Sequence, residues 1–158
     1  MSSRLSGNGS SVKGEPNNGM PRHGVSKNGR HGEVYVYNKT RETFVATEAK
    51  VANSYFTRLI GLLGKTKRWA QVGTGLWIVP SRGVHTIGML FPIDLVFLSK
   101  DKEVVHMEEY VRPFRISKVS LKATSVLELP PHTIYRSQTQ VGDRFEIARL
   151  MKEEAPVI

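Results

Sequence analysis

From residue 1 to 32 the aliphatic side chains, Met1, Leu5, Val12, Met20 and Val25, stand singly among polar ones. From Glu33 onward the apolar positions become periodic. Val34-Tyr35-Val36-Tyr37, followed by Asn38-Lys39-Thr40, predicts a strand and a turn. Alternation from Phe44 to Val51 predicts a second strand, with Val45, Thr47, Ala49 and Val51 on one face and Ala46, Glu48 and Lys50 on the other. A short helix follows. Asn53 or Ser54 caps it, Phe56, Leu59, Ile60 and Leu63 form its buried stripe, Gly64 stops it, and Lys65, Lys67 and Arg68 follow its end. Leu76 to Val79 reads as a strand closed by Pro80-Ser81. Ile93 to Leu98 is almost wholly apolar, as in a strand covered on both faces. Ser99 to Lys102 turns the chain, and Glu103 to Tyr110 returns antiparallel, with Val105 and Met107 on one face and Val104, His106 and Glu108 on the other. A long loop from Val111 to Ala123, a strand from Ser125 to Leu129, a single helical turn over Thr133–Ser137, a turn at Val141-Gly142-Asp143 and a closing strand from Arg144 to Leu150 complete the chain. Seven or eight short strands against one real helix predict a mainly β fold, on the border of α+β. The expected architecture is a compact sandwich or barrel with the helix over one opening.

Composition divides the chain. Gly, Ser, Asn and Pro fill 19 of the first 32 positions, too little apolar surface to offset the entropy of ordering. Residues 1–32 are therefore expected to be a disordered, basic tail, residues 33–151 one mainly β domain, and residues 152–158 a frayed end. The net charge of +9 splits into +4 on the tail and +5 on the domain, a modestly basic body. There are no cysteines, which excludes disulfides, thiolate metal sites and Cys nucleophiles. No apolar run reaches the roughly 18 residues of a membrane-spanning helix. No apolar stretch follows the basic residues of the N-terminus, so no signal peptide and a cytoplasmic location are expected.

The richest chemistry lies between Gly83 and Leu98. His85 and Thr86 sit on a Gly-containing approach, and Asp94 stands at the mouth of an apolar strand. With Arg112 they make the candidate ligand site. Asp94 would accept a ligand's donors, His85 would orient it or exchange a proton, and Arg112 would hold an anionic part. The structural alternative gives Asp94 to backbone N–H groups of the Gly83–Gly88 loop and makes His85 a buried packing residue. His85, Asp94, His106 and His132 lack any short ligand spacing, so neither metal nor cofactor is expected. Glu128 with Asp94 is conceivable as an acid–base pair, but Glu128 is expected to face solvent or pair with an Arg. Ser81 and Ser125 lie in no Gly-x-Ser-x-Gly elbow, and Gly73-Thr-Gly75 is no phosphate loop.

The leading expectation is a non-enzymatic small-ligand-binding or accessory module whose partner is a small molecule or a protein. The first alternative is a nucleic-acid-associated protein. Arg112, Arg115, Lys118 and Lys122 lie beside Tyr110 and Phe114, although Glu103, Glu108 and Glu109 precede them. The second alternative is an enzyme acting on a small polar or anionic substrate.

Four blocks carry a family resemblance. They are Arg58-Leu-Ile-Gly61-Leu62-Leu63, His85-Thr86-x-x-Met89-x-Phe91-Pro92-Ile93-Asp94-x-Val96-Phe97-Leu98, Val126-Leu127-Glu128-Leu129-Pro130 and Gly142-Asp143. From about Phe44 to Ile147 the chain resembles domain-of-unknown-function family 192, with Leu63 where the family has Met. The resemblance implies a compact, jelly-roll-like, mainly β fold with one short helix. It implies no reaction.

Overall fold

The computed structural model describes residues 33–53 and 71–149. The helix expected after Asn53, the tail over 1–32 and the C-terminal residues from 150 onward lie outside the described residues.

Seven strands make one curled sheet, a half-barrel. They are β1 (Glu33–Asn38), β2 (Thr43–Ala52), β3 (Thr74–Ile78), β4 (Ile93–Leu98), β5 (Val104–Val111), β6 (Ser125–Leu129) and β7 (Phe145–Arg149), in spatial order β5-β4-β6-β3-β2-β1-β7. Strands β2 and β3 are parallel and every other neighbouring pair is antiparallel. One short helix, α1 (Thr133–Ser137), follows β6. The expected mainly β class with short helical content describes this arrangement.

All residues of β4 and β6 are buried, because each strand is covered on both sides. One side carries Val36, Ala49, Val96, Leu98, Val104, Leu127, Leu129 and Ile134. The other carries Leu76, Ile78, Met89, Ile93, Leu95, Phe97 and Val126, with Val84, Phe91 and Val111 packed at its margin. Met89 is thus a core residue. So is Glu128: it lies 4% exposed between its register partners Leu76 and Leu95. Of the two expectations for it, solvent or pairing with an Arg, the solvent-facing one fails, because β6 has no solvent face.

Two predicted strand faces are corrected by bulges. In β2, Val34 pairs with Ala49 but Val36 pairs with Ala46, and a second shift follows before Tyr37. Each shift inserts a residue and resets the alternation. Val45 and Ala46 are therefore both buried while Thr47 is exposed. In β5, Phe97 pairs with His106 but Leu98 pairs with Val104. Val104 and Met107 consequently reach one core and Val105 the other.

The sheet's two edges meet at one end. The backbones of Glu103 and Arg144 face each other as an isolated antiparallel bridge, the Val104 N–H donates to the Asp143 carbonyl at 2.8 Å, and the Phe145 N–H donates to the Lys102 carbonyl at 2.9 Å. Beneath this seam lies Asp143, 2% exposed. Its carboxylate accepts from Asn38 Nδ2 at 2.9 Å, from the Gln140 N–H at 2.9 Å and from Arg41 Nε at 3.2 Å. Burial acts to raise the Asp143 pKa, but the bonds from Asn38, Gln140 and Arg41 together outweigh it and hold the carboxyl below its ordinary value.

Candidate functional site

The loop between β3 and β4 and the loop between β5 and β6 bond to one another as an irregular ribbon. The Ser120 N–H donates to the Arg82 carbonyl, Ser117 N–H to the Val84 carbonyl, Thr86 N–H to the Arg115 carbonyl and Phe114 N–H to the Thr86 carbonyl, all at 2.8–2.9 Å. His85 and Ile116 face each other as a backbone bridge. Buried Met89 and Ala123 anchor the ribbon on the second core.

Thr86 is the clasp. It is fully buried, its Oγ1 accepts the Arg115 N–H at 2.9 Å, and its hydroxyl lies 2.8 Å from the Arg112 carbonyl to which it donates. One side chain thus satisfies two backbone groups of the facing loop, on either side of Phe114. Ser117 works alike from the other loop, its Oγ accepting the Val84 N–H at 2.9 Å.

Asp94 is the staple below. It is 0% exposed. Oδ1 accepts the Tyr110 N–H at 3.0 Å and Oδ2 accepts the Ile134 N–H at 2.9 Å. Tyr110 lies at a β5 register shift, where Ile93 pairs with Val111 and Leu95 with Glu108, and its φ is 53°. Ile134 lies in α1. The carboxylate therefore fixes a bulge and a helix start that are far apart in sequence. The Gly83–Gly88 loop, the expected structural partner of Asp94, is held instead by Thr86 and Ser117.

The four predicted site residues thus separate by role. Thr86 and Asp94 serve backbone groups, while His85 and Arg112 are exposed. Around them lie the basic loop and Phe114 expected from the sequence, joined by exposed aliphatic residues that the sequence alone did not single out. Leu90, Phe114, Ile116 and Leu121 are 77, 67, 77 and 79% exposed, and Ile87 and Val119 are also open to solvent. Residues 82–91 and 112–124 hold five cations, Arg82, Arg112, Arg115, Lys118 and Lys122, and no acid. Among the described residues no carboxylate forms an ion pair with any of the five. Glu108, the acid that touches the ribbon, accepts the Lys118 N–H at 2.8 Å and lies 3.4 Å from His106 Nε2. The signal was present as the alternation Phe114-Arg115-Ile116-Ser117-Lys118-Val119-Ser120-Leu121-Lys122.

Three residues here carry a positive φ, as Glu42, Lys102 and Gln138 do elsewhere. Tyr110, Phe114 and His132 take φ of 53, 60 and 65°, a region costly for residues with a Cβ. The Tyr110 and His132 rings lie 5.1 Å apart at 30°. Among the described residues no group of three or more His, Asp or Glu gathers as a metal site. His106 packs on Phe97 at 5.0 Å and His132 on Tyr110. A depression of about 240 Å³ opens between β2 and α1, lined in part by Phe44, Thr47 and Arg136. The Arg136 guanidinium there is held by Thr133 Oγ1 at 2.8 Å and by the Pro131 carbonyl.

Comparison with known proteins adds a family and a fold. The family model DUF192, described as Uncharacterized ACR, matches residues 36–147. A UPF0127 protein of Pyrococcus furiosus is 27% identical over 119 residues, covering 72% of this chain and 98% of its own. A UPF0127 protein of Thermococcus sibiricus is 30% identical over 115 residues, covering 69% of this chain and 71% of its own. Two solved structures share the fold. One, from Sinorhizobium meliloti and described as a candidate transcription regulator, has a TM-score of 0.61 at 20% identity and covers 73% of this chain and 92% of its own. The other, a protein of unknown function from Novosphingobium aromaticivorans, has a TM-score of 0.60 at 18% identity and covers 72% of this chain and 83% of its own.

Proposed function

The chain belongs to domain-of-unknown-function family 192; that membership names no activity, and from the surface of the chain itself we propose that it is a non-enzymatic binding or accessory module whose contact surface is the ribbon bearing His85 and Arg112. One observation carries the reading: two cross-bonded loops present six large apolar side chains to solvent and hold five cations and no acid of their own, with Glu108 of β5 bonded to the Lys118 N–H at their edge. Exposed apolar clusters of this kind mark interaction sites. The like-signed cations attract an anionic partner. Thr86 and Ser117 hold the ribbon in place beforehand, so binding loses little entropy in ordering it.

In this reading Arg112 and Arg115 meet the partner's negative charge and Ile116 its apolar part. His85, beside Ile116, adds a donor or acceptor. Asp94 and Thr86 position these groups and do not touch the partner. The open, extended form of the surface suits a large anionic partner better than a small enclosed ligand.

Single-stranded nucleic acid is the second reading, favoured by the exposed rings of Tyr110 and Phe114 beside Arg112. The regulator description belongs to the Sinorhizobium protein, and at 20% identity the likeness carries the fold alone.

The test is retention of the full chain on immobilised heparin, a generic polyanion. Wild type is expected to bind and to elute with added salt, and Arg112→Glu/Arg115→Glu to bind at least about tenfold more weakly with its melting temperature unchanged. Equal retention of the two proteins would remove the ribbon from the account and leave the 1–32 segment as the basic element.

A further inference from the structure

We infer that the ribbon's partner is the headgroup surface of an anionic bilayer, with the aliphatic side chains of the two loops entering the boundary between headgroups and acyl chains. The inference rests on the ribbon being the contact surface and names what it contacts. The choice between polyanions turns on the apolar set. Phe114 is the one aromatic among the six; Ile87, Leu90, Ile116, Val119 and Leu121 are aliphatic. Nucleobases reward flat π surfaces, and phosphodiesters reward cations, so neither gives five exposed aliphatic side chains anything to gain. A bilayer rewards both halves: lipid phosphates and carboxylates meet the cations, and the hydrocarbon margin takes the aliphatic side chains.

The order of residues fits that division. From Phe114 to Lys122 apolar residues stand at 114, 116, 119 and 121 and cations at 115, 118 and 122. Arg and Lys stems lie along apolar surface while their heads reach outward to charge, so neighbouring cations and aliphatics can serve one interface together. Leu90 and Ile87, on the facing loop, are exposed as well and add to the aliphatic side chains the two loops offer to solvent. The backbone beneath is already paired loop to loop, so inserting side chains exposes few unsatisfied N–H or C=O groups to the lipid margin. No helix among the described residues is long and apolar enough to cross a membrane, and the contact inferred here is peripheral.

The experiment is vesicle co-sedimentation of the full chain with pure phosphatidylcholine and with a mixture containing about one-third phosphatidylserine. Wild type is expected to sediment with the anionic vesicles only. Ile116→Ser/Leu121→Ser is expected to lose at least about tenfold in partitioning, as the removal of two inserted aliphatic groups requires, while keeping wild-type heparin retention. Arg112→Glu/Arg115→Glu is expected to lose both. If the serine variant sediments like wild type, charge alone drives the contact and the inference is overturned. If wild type binds heparin but no anionic vesicle, the lipid is wrong and the ribbon reading survives. Tight binding of a single-stranded oligonucleotide in place of vesicles would move the assignment to nucleic acid. Loss of heparin retention in none of the variants would end the ribbon reading itself.

Discussion

Asp94→Ala is expected to lose about 2–5 kcal/mol of stability, because it strands two buried backbone donors at about 1–3 kcal/mol each. The Tyr110 and Ile134 N–H groups would both be left without their acceptor, in a region where the removed side chain was fully buried. The loss corresponds to a melting temperature lower by on the order of 10 °C or more. Urea unfolding measures it directly, as a lower midpoint at unchanged slope. Asp94→Asn keeps one acceptor oxygen but turns an NH2 toward the second donor, so it should fall between wild type and Ala. Folded Asp94→Asn should also retain heparin binding within a few-fold of wild type. A variant of near-native stability with abolished binding would mean that the carboxylate touches the partner and that its two backbone bonds are incidental.

Asp143→Asn is the second large effect, about 2–4 kcal/mol at neutral pH. The substitution removes the charge that Arg41 meets and places an amide where Asn38 and the Gln140 N–H already donate. The seam between the sheet's edges then loses the group beneath it. This effect carries a pH signature. The folded-state pKa of Asp143 is lowered from the model-compound value of 3.8, so ionisation favours the folded state. That contribution is present in full above 3.8 and is lost as pH falls through the lower folded-state value. The stability gap between wild type and Asp143→Asn should therefore be widest near neutrality and narrow below about pH 4. Paired urea titrations at neutral and acid pH would show it, and a gap that stayed constant would assign the effect to shape and not to charge.

The strands were legible wherever burial made a simple pattern. Ile93–Leu98 is apolar throughout because both its faces are covered, and Ser125–Leu129 shares that setting. Strand faces were less legible. Whether Thr47 points inward depends on the bulges of β2 against β1, and a bulge is a property of the pairing between two strands. Glu128 misleads for a related reason: its charge suggests solvent, but β6 lies between β4 and β3 with cores on both sides. His85, Thr86, Asp94 and Arg112 could be singled out from one stretch and one loop, yet their division of labour could not. Thr86 is committed to Arg115 and Asp94 to Ile134, separations of 29 and 40 residues that no local motif records. Asp143 shows the same limit, since its partners Asn38 and Arg41 lie at the opposite end of the domain's sequence. The apolar–basic alternation of 114–122 was in plain view. Its weight comes from the fold, which exposes the apolar side chains on a ribbon whose backbone is already paired.

The most direct test of the ribbon as the contact surface is amide hydrogen exchange on the full chain with and without heparin. Added protection confined to residues 82–91 and 112–122, with the Tyr110 and Ile134 amides unchanged because Asp94 already holds them, is the predicted result. Protection centred on the α1 end of the sheet, or found only within residues 1–32, would contradict it.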